Sequence, residues 1–343
     1  MNFKKILMAA LAVSVLASAP LYAEDAAAEA GRVGRAATLG APASRKAVRE
    51  LLAMLGDPSA QVRAKVCQSL GMQNHDKAVQ PLIAVLASDA DARVRAAAAK
   101  ALGQIQNKAA TNQLSRALAS DSDENVRAAS AIALGRLLDG KAVFGPLAAA
   151  LKDKSDTVRS AVATALGYED GYAAGRLLTY LVLLDKNPDV RAAAANGLSM
   201  CCSNPNTRVD VNAGIGDPWY YWDPFWDPLP VESVEVKLGK LSDRGLDLVV
   251  KTLLYSLAND SDFRVRTAAA KGLSRTLSDA AVDPLMKVLA SDPNPQVRAG
   301  AASALGHIGA RRSIGALETA RKDADADVQM EASFAIETIL RQN

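Results

Sequence analysis

Aromatic side chains make up only 4% of this 343-residue chain, although hydrophobic residues as a class reach 50%. A compact globule of this length normally builds its core partly from rings. The scarcity points instead to an extended stack with a core of Ala, Leu and Val. Histidine occurs twice, at His75 and His307, neither near a second candidate ligand in sequence. No Ser/His/Asp order, phosphate-cradling glycine loop or zinc spacing is present. A non-catalytic chain is therefore expected, with no metal and no cofactor. Charge of one sign is missing as well: 40 Lys+Arg against 37 Asp+Glu leave +3, falling to +1 without Lys4 and Lys5, so no basic excess points to nucleic acid.

Long apolar runs are absent beyond the N-terminus. Lys4 and Lys5 form a positive start, Ile6 to Ala19 is apolar, and Ala23 ends a short stretch before Glu24 and Asp25. This reads as a secretory signal over residues 1–23, cleaved after Ala23. The apolar run falls short of the ~20 residues a membrane anchor needs. An exported protein, periplasmic in a bacterium and without a membrane span in its mature chain, is the expectation. Cysteine is scarce for such a compartment. Cys67 takes a position held by alanine or serine in the equivalent segments below, and Cys201 one held by Ile or Leu. At roughly 8–10 Å per helix layer they lie too far apart for a bridge. That leaves Cys201 and Cys202 as a strained pair or as free thiols, and free thiols are expected.

What the chain does have is a period. A Val-Arg pair recurs at Val62, Val94, Val126, Val158 and Val190 in steps of 32, then at Val265 after 75, at Val297 after 32, and without its arginine at Val328 after 31. A fixed period of this size marks stacked supersecondary units. Three residues before each valine stands Ser59, Asp91, Asp123, Ser155, Asn187, Asp262, Asn294 or Asp325, side chains that accept bonds from a helix's first turn. Eight residues after it come Leu70, Leu102, Leu134, Leu166, Leu198, Leu273, Leu305 and Ile336, on the valine's face at helical spacing. Small residues such as Ala101, Ala165, Gly197 and Ala335 precede them and would let helices approach closely. Gly71, Gly103, Gly135, Gly167 and Gly306 read as helix ends. A second amphipathic segment lies upstream in each unit, for example Lys77 to Ser88. The unit is therefore helix, turn, helix.

This pattern resembles the HEAT repeat, in particular the short alanine-rich bacterial form also seen in phycobiliprotein lyases, over about 250 residues. The resemblance implies an all-α, α-α superhelix of about eight helical hairpins. Repeats one to five would occupy residues 44–200 and repeats six to eight residues 246–343, with 24–43 a flexible lead-in or a frayed cap helix. In the eighth repeat Gln329, Glu331 and Glu337 replace the usual Arg, Ala and Gly, as expected of a capping unit. Deoxyhypusine hydroxylase, another family of this kind, holds iron with repeated His-Glu pairs, which are missing here. The lyases act on cytoplasmic antenna proteins, which conflicts with a signal peptide.

The arginines Arg63, Arg95, Arg127, Arg159, Arg191, Arg266 and Arg298 are phased with Asp57, Asp89, Asp121, Asp153, Asp185, Asp260 and Asp292. Their matching numbers favour a structural ladder, each arginine bonded to a turn aspartate of its own or an adjacent repeat. Residues 201–245 break the pattern. They hold every tryptophan, with Trp219, Tyr220, Tyr221, Trp222, Phe225 and Trp226 packed among the Asp-Pro pairs at Asp217, Asp223 and Asp227. Alternating runs on either side suggest a β-hairpin presenting an aromatic loop. Such rings anchor protein partners and stack on sugars. They can also fold back on repeats five and six, and a division between both roles is expected. The sequence points to an envelope scaffold that binds another protein. The alternatives are a carbohydrate- or envelope-binding module and an accessory subunit of an enzyme complex.

Overall fold

The computed structural model describes residues 26–41, 44–137, 140–168, 172–201 and 245–342. There the chain is helical throughout, with no strand among the described residues, in keeping with an all-α stack of hairpins. The hairpin and aromatic loop proposed for the insert lie in 202–244, outside the described residues. The helices are α1 (26–39), α2 (Arg45–Ala53), α3 (Ala60–Gln73), α4 (Val79–Ser88), α5 (Ala92–Ile105), α6 (Thr111–Ser120), α7 (Glu124–Leu137), α8 (Lys141–Ala149), α9 (Asp156–Leu166), α10 (Tyr172–Leu184), α11 (Pro188–Cys201), α12 (Gly245–Asn259), α13 (Phe263–Thr276), α14 (Val282–Ser291), α15 (Pro295–Ile308), α16 (Ile314–Ala320) and α17 (Ala326–Arg341). They fall into two compact units, Met1–Ala117 and Leu118–Asn343.

Each helix that follows a Val-Arg pair, or its counterpart at Val328, starts where its cap residue stands. Ser59 accepts from the Val62 N–H, Asp91 from Arg93, Asp123 from Asn125, Asn187 from Asp189, Asp262 from Arg264, Asn294 from Gln296 and Asp325 from Asp327. Ser155 departs from this, its hydroxyl donating to Glu124 instead at 2.6 Å. All eight anchor valines are fully buried. At about 1.5–3 kcal/mol for each buried aliphatic side chain, this column is a main source of cohesion. In the first unit α3 packs on α5, and in the second α7, α9, α11, α13, α15 and α17 pack in succession.

The glycines are not helix ends, with Gly167 the exception. The helices that contain Gly71, Gly103 and Gly306 run on to left-handed caps at Asn74, Gln106 and Gly309, and α7 continues past Gly135 to Leu137. The glycines mark the points where neighbouring helices touch. A methyl added at Gly71 would stand 2.9 Å from Ala101 Cα, at Gly135 2.7 Å from Ala165 Cα, at Gly167 2.8 Å from Gly197 Cα, and at Gly306 2.7 Å from Ala335 Cα. The small residue of one repeat thus meets the glycine of the preceding one, backbone to backbone. In the eighth repeat Glu337 takes the glycine's register, which closes that face to another repeat of the same kind. The face is less polar than a capping role asks, since Met330 and Phe334 are exposed on it.

Residues 26–39 are not a flexible lead-in but a helix packed on α3. Ser69 donates to Ala36 O at 2.7 Å, Gln73 to Leu39 O at 2.6 Å, and Arg32 Nε to Asp57 at 2.9 Å. Gly31-Arg32 and Leu39-Gly40 stand 31 residues before Val62-Arg63 and Leu70-Gly71, so α1 takes the register of a repeat's second helix. Its glycine in place of the anchor valine hides it from a search on that residue.

Six of the seven arginines reach forward to the turn aspartate of the next repeat. Nε of Arg63, Arg127, Arg159, Arg191, Arg266 and Arg298 lies 2.7–2.8 Å from Asp89, Asp153, Asp185, Asp260, Asp292 and Asp323. Nη2 completes each fork, while Nη1 donates to the carbonyl of the arginine's own turn aspartate, as Arg159 does to Asp153 O at 2.9 Å. Arg95 makes that same bond to Asp89 O, and Asp121 Oδ1 accepts from the Asp123 N–H. In the last repeat Gln329 keeps only the carbonyl bond, to Asp323 O.

The forks set the ionisation of their carboxylates. Hydrogen bonds from Arg63 and Arg298 hold Asp89 and Asp323 below the usual carboxylate range. At Asp153 and Asp292 burial pushes upward, and the bonds from Arg127 and Arg266, joined by backbone N–H groups, outweigh it. Cys67 and Cys201 are buried, and burial drives the free Cys67 thiol up to about 12. A Cys201–Cys202 pair falls partly outside the described residues.

Two outcomes follow in urea unfolding. Gly135→Ala should cost about 1–3 kcal/mol, because the added methyl has only backbone to displace; an unchanged midpoint would refute the seam. Arg159→Ala, whose side chain is only 8% exposed, should cost about 3 kcal/mol, whereas Arg312→Ala at an exposed pair should barely move the midpoint. Carboxylates with lowered folded values contribute stability that is fully present above about pH 4, the unfolded value, and fades as pH falls through the folded ones. A urea midpoint that stays flat from pH 5 to the acid limit would contradict the forks.

Candidate functional site

None of the six aromatic residues singled out in the sequence, Trp219, Tyr220, Tyr221, Trp222, Phe225 and Trp226, is among the described residues. What the structure does show is how the chain leaves and returns. Arg191 forks onto Asp260 across 69 residues, with distances of 2.7 and 2.9 Å, as arginines elsewhere do across 26. Thr179 and Thr252 hydroxyls lie 3.3 Å apart, Arg264 donates to Asp189, and a methyl at Gly272 would meet Ser199 Cβ at 3.4 Å. Repeats five and six therefore stack as ordinary neighbours.

The two histidines do local work. His75 Nδ1 accepts from the Lys77 N–H at 3.1 Å, capping a short 3-10 turn, and His307 Nδ1 lies 2.8 Å from Ser303 O. Among the described residues no group of His, Cys, Asp or Glu could hold a metal, and no helix is long and apolar enough to cross a membrane. A metal site at Asp217, Asp223 and Asp227 would fall outside them. A groove of about 410 Å³ between α12 and α14, lined by Leu257, Lys287 and Val288, has Arg266 and Asp292 at its edge. Those two are already bonded to each other, so the groove offers little beyond an apolar wall.

The solvent-facing row of the second helices has a distinct composition. Six and ten residues after each anchor valine of the second unit stand Ile132 and Arg136, Thr164 and Tyr168, Asn196 and Met200, Lys271 and Arg275, Ser303 and His307, Phe334 and Thr338. None of these is buried and none is acidic. The ladder engages the turn aspartates, so acids are concentrated at the repeat edge and excluded from this row. Helix α13 is its most basic member. Arg264, one residue before its anchor valine, is paired with Asp262 and Asp189. Its hydrogen bond lowers Asp262 to about 2. Lys271 and Arg275, on the same stripe, are exposed and pair with no described residue. The helix then ends at Leu277, in left-handed backbone with φ of 47° and 65% exposed. The equivalent caps are Asn74, Gln106 and Gly309. Sequence reading passed over Leu277, which stands twelve residues after its anchor, where Asn74, Gln106 and Gly309 stand in three repeats and Leu138 and Leu340 in two others.

A search of curated proteins finds no match. Among solved structures, YibA of E. coli is 22% identical, with 85% of this chain and 92% of that chain covered at a TM-score of 0.50. The complex of CpcE and CpcF of phycocyanin lyase from Nostoc sp. PCC7120 is 20% identical, covering 85% and 94%, at a TM-score of 0.44. Human deoxyhypusine hydroxylase in complex with glycerol is 19% identical, covering 86% and 96%, at a TM-score of 0.34. The first of these likenesses speaks to fold alone, and the other two are too loose to support more. A family model described as HEAT repeats matches residues 48–135 and 250–337, half of the chain. With its phased caps, buried valine column and stacked helical hairpins, this chain belongs to the HEAT-repeat family.

Proposed function

We propose that the protein is an exported, non-catalytic scaffold that binds another protein in the bacterial cell envelope. The observation that carries the reading is the uninterrupted stacking of repeats five and six. Arg191 and Thr179 of repeat five meet Asp260 and Thr252 of repeat six directly, and the insertion between them holds all three tryptophans in a chain otherwise poor in rings. Tryptophan and tyrosine anchor protein interfaces, where a single one contributes up to about 2–4 kcal/mol. An insertion that concentrates every tryptophan of the chain is best explained by a partner. Export rests on residues 1–23, with their paired lysines, apolar run and Ala23.

The ladder supports the same reading by what it removes. Its arginines, the most regular cations in the chain, are spent on turn carboxylates and are not a stripe for anionic ligands. Binding then falls to the insertion and to the acid-free row.

A crosslinking pull-down from periplasm tests this, comparing the intact chain with one lacking residues 207–237. The shortened form should keep the urea midpoint of the intact chain and lose its partner. Equal capture by both forms would overturn the role given to the insertion. Because every tryptophan lies within it, a change in emission with glycans, and none with envelope protein, would favour a carbohydrate-binding module instead.

A further inference from the structure

Lys271, Arg275 and Leu277 stand together at the end of α13, and folding explains only one of them. A cation in the last turn of a helix offsets the negative end of its dipole, which accounts for Arg275. Lys271 lies a full turn further back, where that effect has faded, and no carboxylate among the described residues meets it. Leu277 is harder still to explain. Left-handed backbone is unfavourable for a leucine by roughly 1–2 kcal/mol, and this one, 65% exposed, recovers little of that by burial. The same cap is filled by Asn74, Gln106 and Gly309 elsewhere, residues that are polar or free of a side chain. Two unpaired cations and an exposed aliphatic side chain held in a resisting conformation make a surface with both charge and an apolar contact to offer.

The neighbours fit that description. On α11 and α15, which pack on either side of α13, the same row presents Asn196, Met200, Ser303 and His307, with no carboxylate to compete for the two cations. The acids nearest in sequence, Asp279 and Asp283, are held by Arg312.

We propose that the C-terminal end of α13 is a docking surface for an acidic segment of a protein partner, with carboxylates on Lys271 and Arg275 and an aliphatic side chain against Leu277. This rests on the scaffold reading and names the chemistry of its partner. Charge complementarity selects the occupant: the face is cationic, uncommitted and free of acids.

The test uses the full chain and a fluorescein-labelled peptide of repeating Asp-Glu-Leu, read by anisotropy, beside an Asn-Gln-Leu peptide of the same length. The acidic peptide should bind with an affinity that falls as salt rises, and the neutral one should not. K271E/R275E should weaken binding at least about tenfold, while K322E, a charge reversal elsewhere on the surface, should leave it unchanged. L277G should weaken binding and yet raise the urea midpoint, since glycine accepts the left-handed conformation. Equal affinity for both peptides, or for K271E/R275E and the parent, would sink the proposal. So would a shift of tryptophan emission in peptide-free K271E/R275E, which would mean that the chain's own insertion lies on this face. Periplasmic partner capture that persists in K271E/R275E would leave the scaffold reading intact and remove this surface from it.

Discussion

Everything in this fold is arranged around a guanidinium that holds two turns at once. Nη1 closes the turn of its own repeat on a carbonyl oxygen, and Nε and Nη2 fork onto the aspartate of the next. That aspartate in turn accepts the backbone N–H two residues on, as Asp185 does from Asn187 at 2.9 Å, which fixes the turn leading into the next helix. One side chain therefore sets the spacing and orientation of neighbouring hairpins. A planar fork matches a carboxylate in a way a lysine ammonium cannot, which is why arginine stands at this position wherever the fork is made. Where Gln329 replaces it, only the carbonyl bond survives, and forward reach ends.

The fork sits at the edge of the repeats, and the seam between second helices complements it. There the backbones touch, glycine against alanine or glycine, because no side chain fits between them. Close approach lets an alanine-rich sequence bury its valines and leucines without large rings, which reconciles a 50% hydrophobic chain with 4% aromatics. It also frees the opposite row of each helix from packing duty. Acids are consumed at the edge, small residues at the seam, and the outer row of the second unit carries polar, cationic, aliphatic and aromatic side chains but no acid.

The repeat register was legible because it rests on short-range chemistry. A cap residue three before the valine and a leucine eight after it are set by helix geometry alone, and the helices begin where those residues stand. Three readings went differently, each for a tertiary reason. The glycines looked like stops, since glycine often ends helices. Their role as contact points depends on a neighbour that a local pattern does not contain. Residues 24–43 read as a flexible lead-in or a frayed cap helix, since Gly31 stands where valine was sought; packing on α3 decides for a helix over 26–39. The eighth repeat was expected to turn polar as a cap, and it also exposes Met330 and Phe334.

By itself the sequence determined the phase of the eight repeats, their all-α class, the identity of the ladder arginines and the place of the insertion. These follow from periodicity, capping and composition, which act over a few residues. Only the tertiary structure decided which aspartate each arginine takes, that repeats five and six meet directly across the insertion, and which cations of α13 stay uncommitted. Those outcomes depend on distances between segments up to 69 positions apart, which packing settles and local pattern does not.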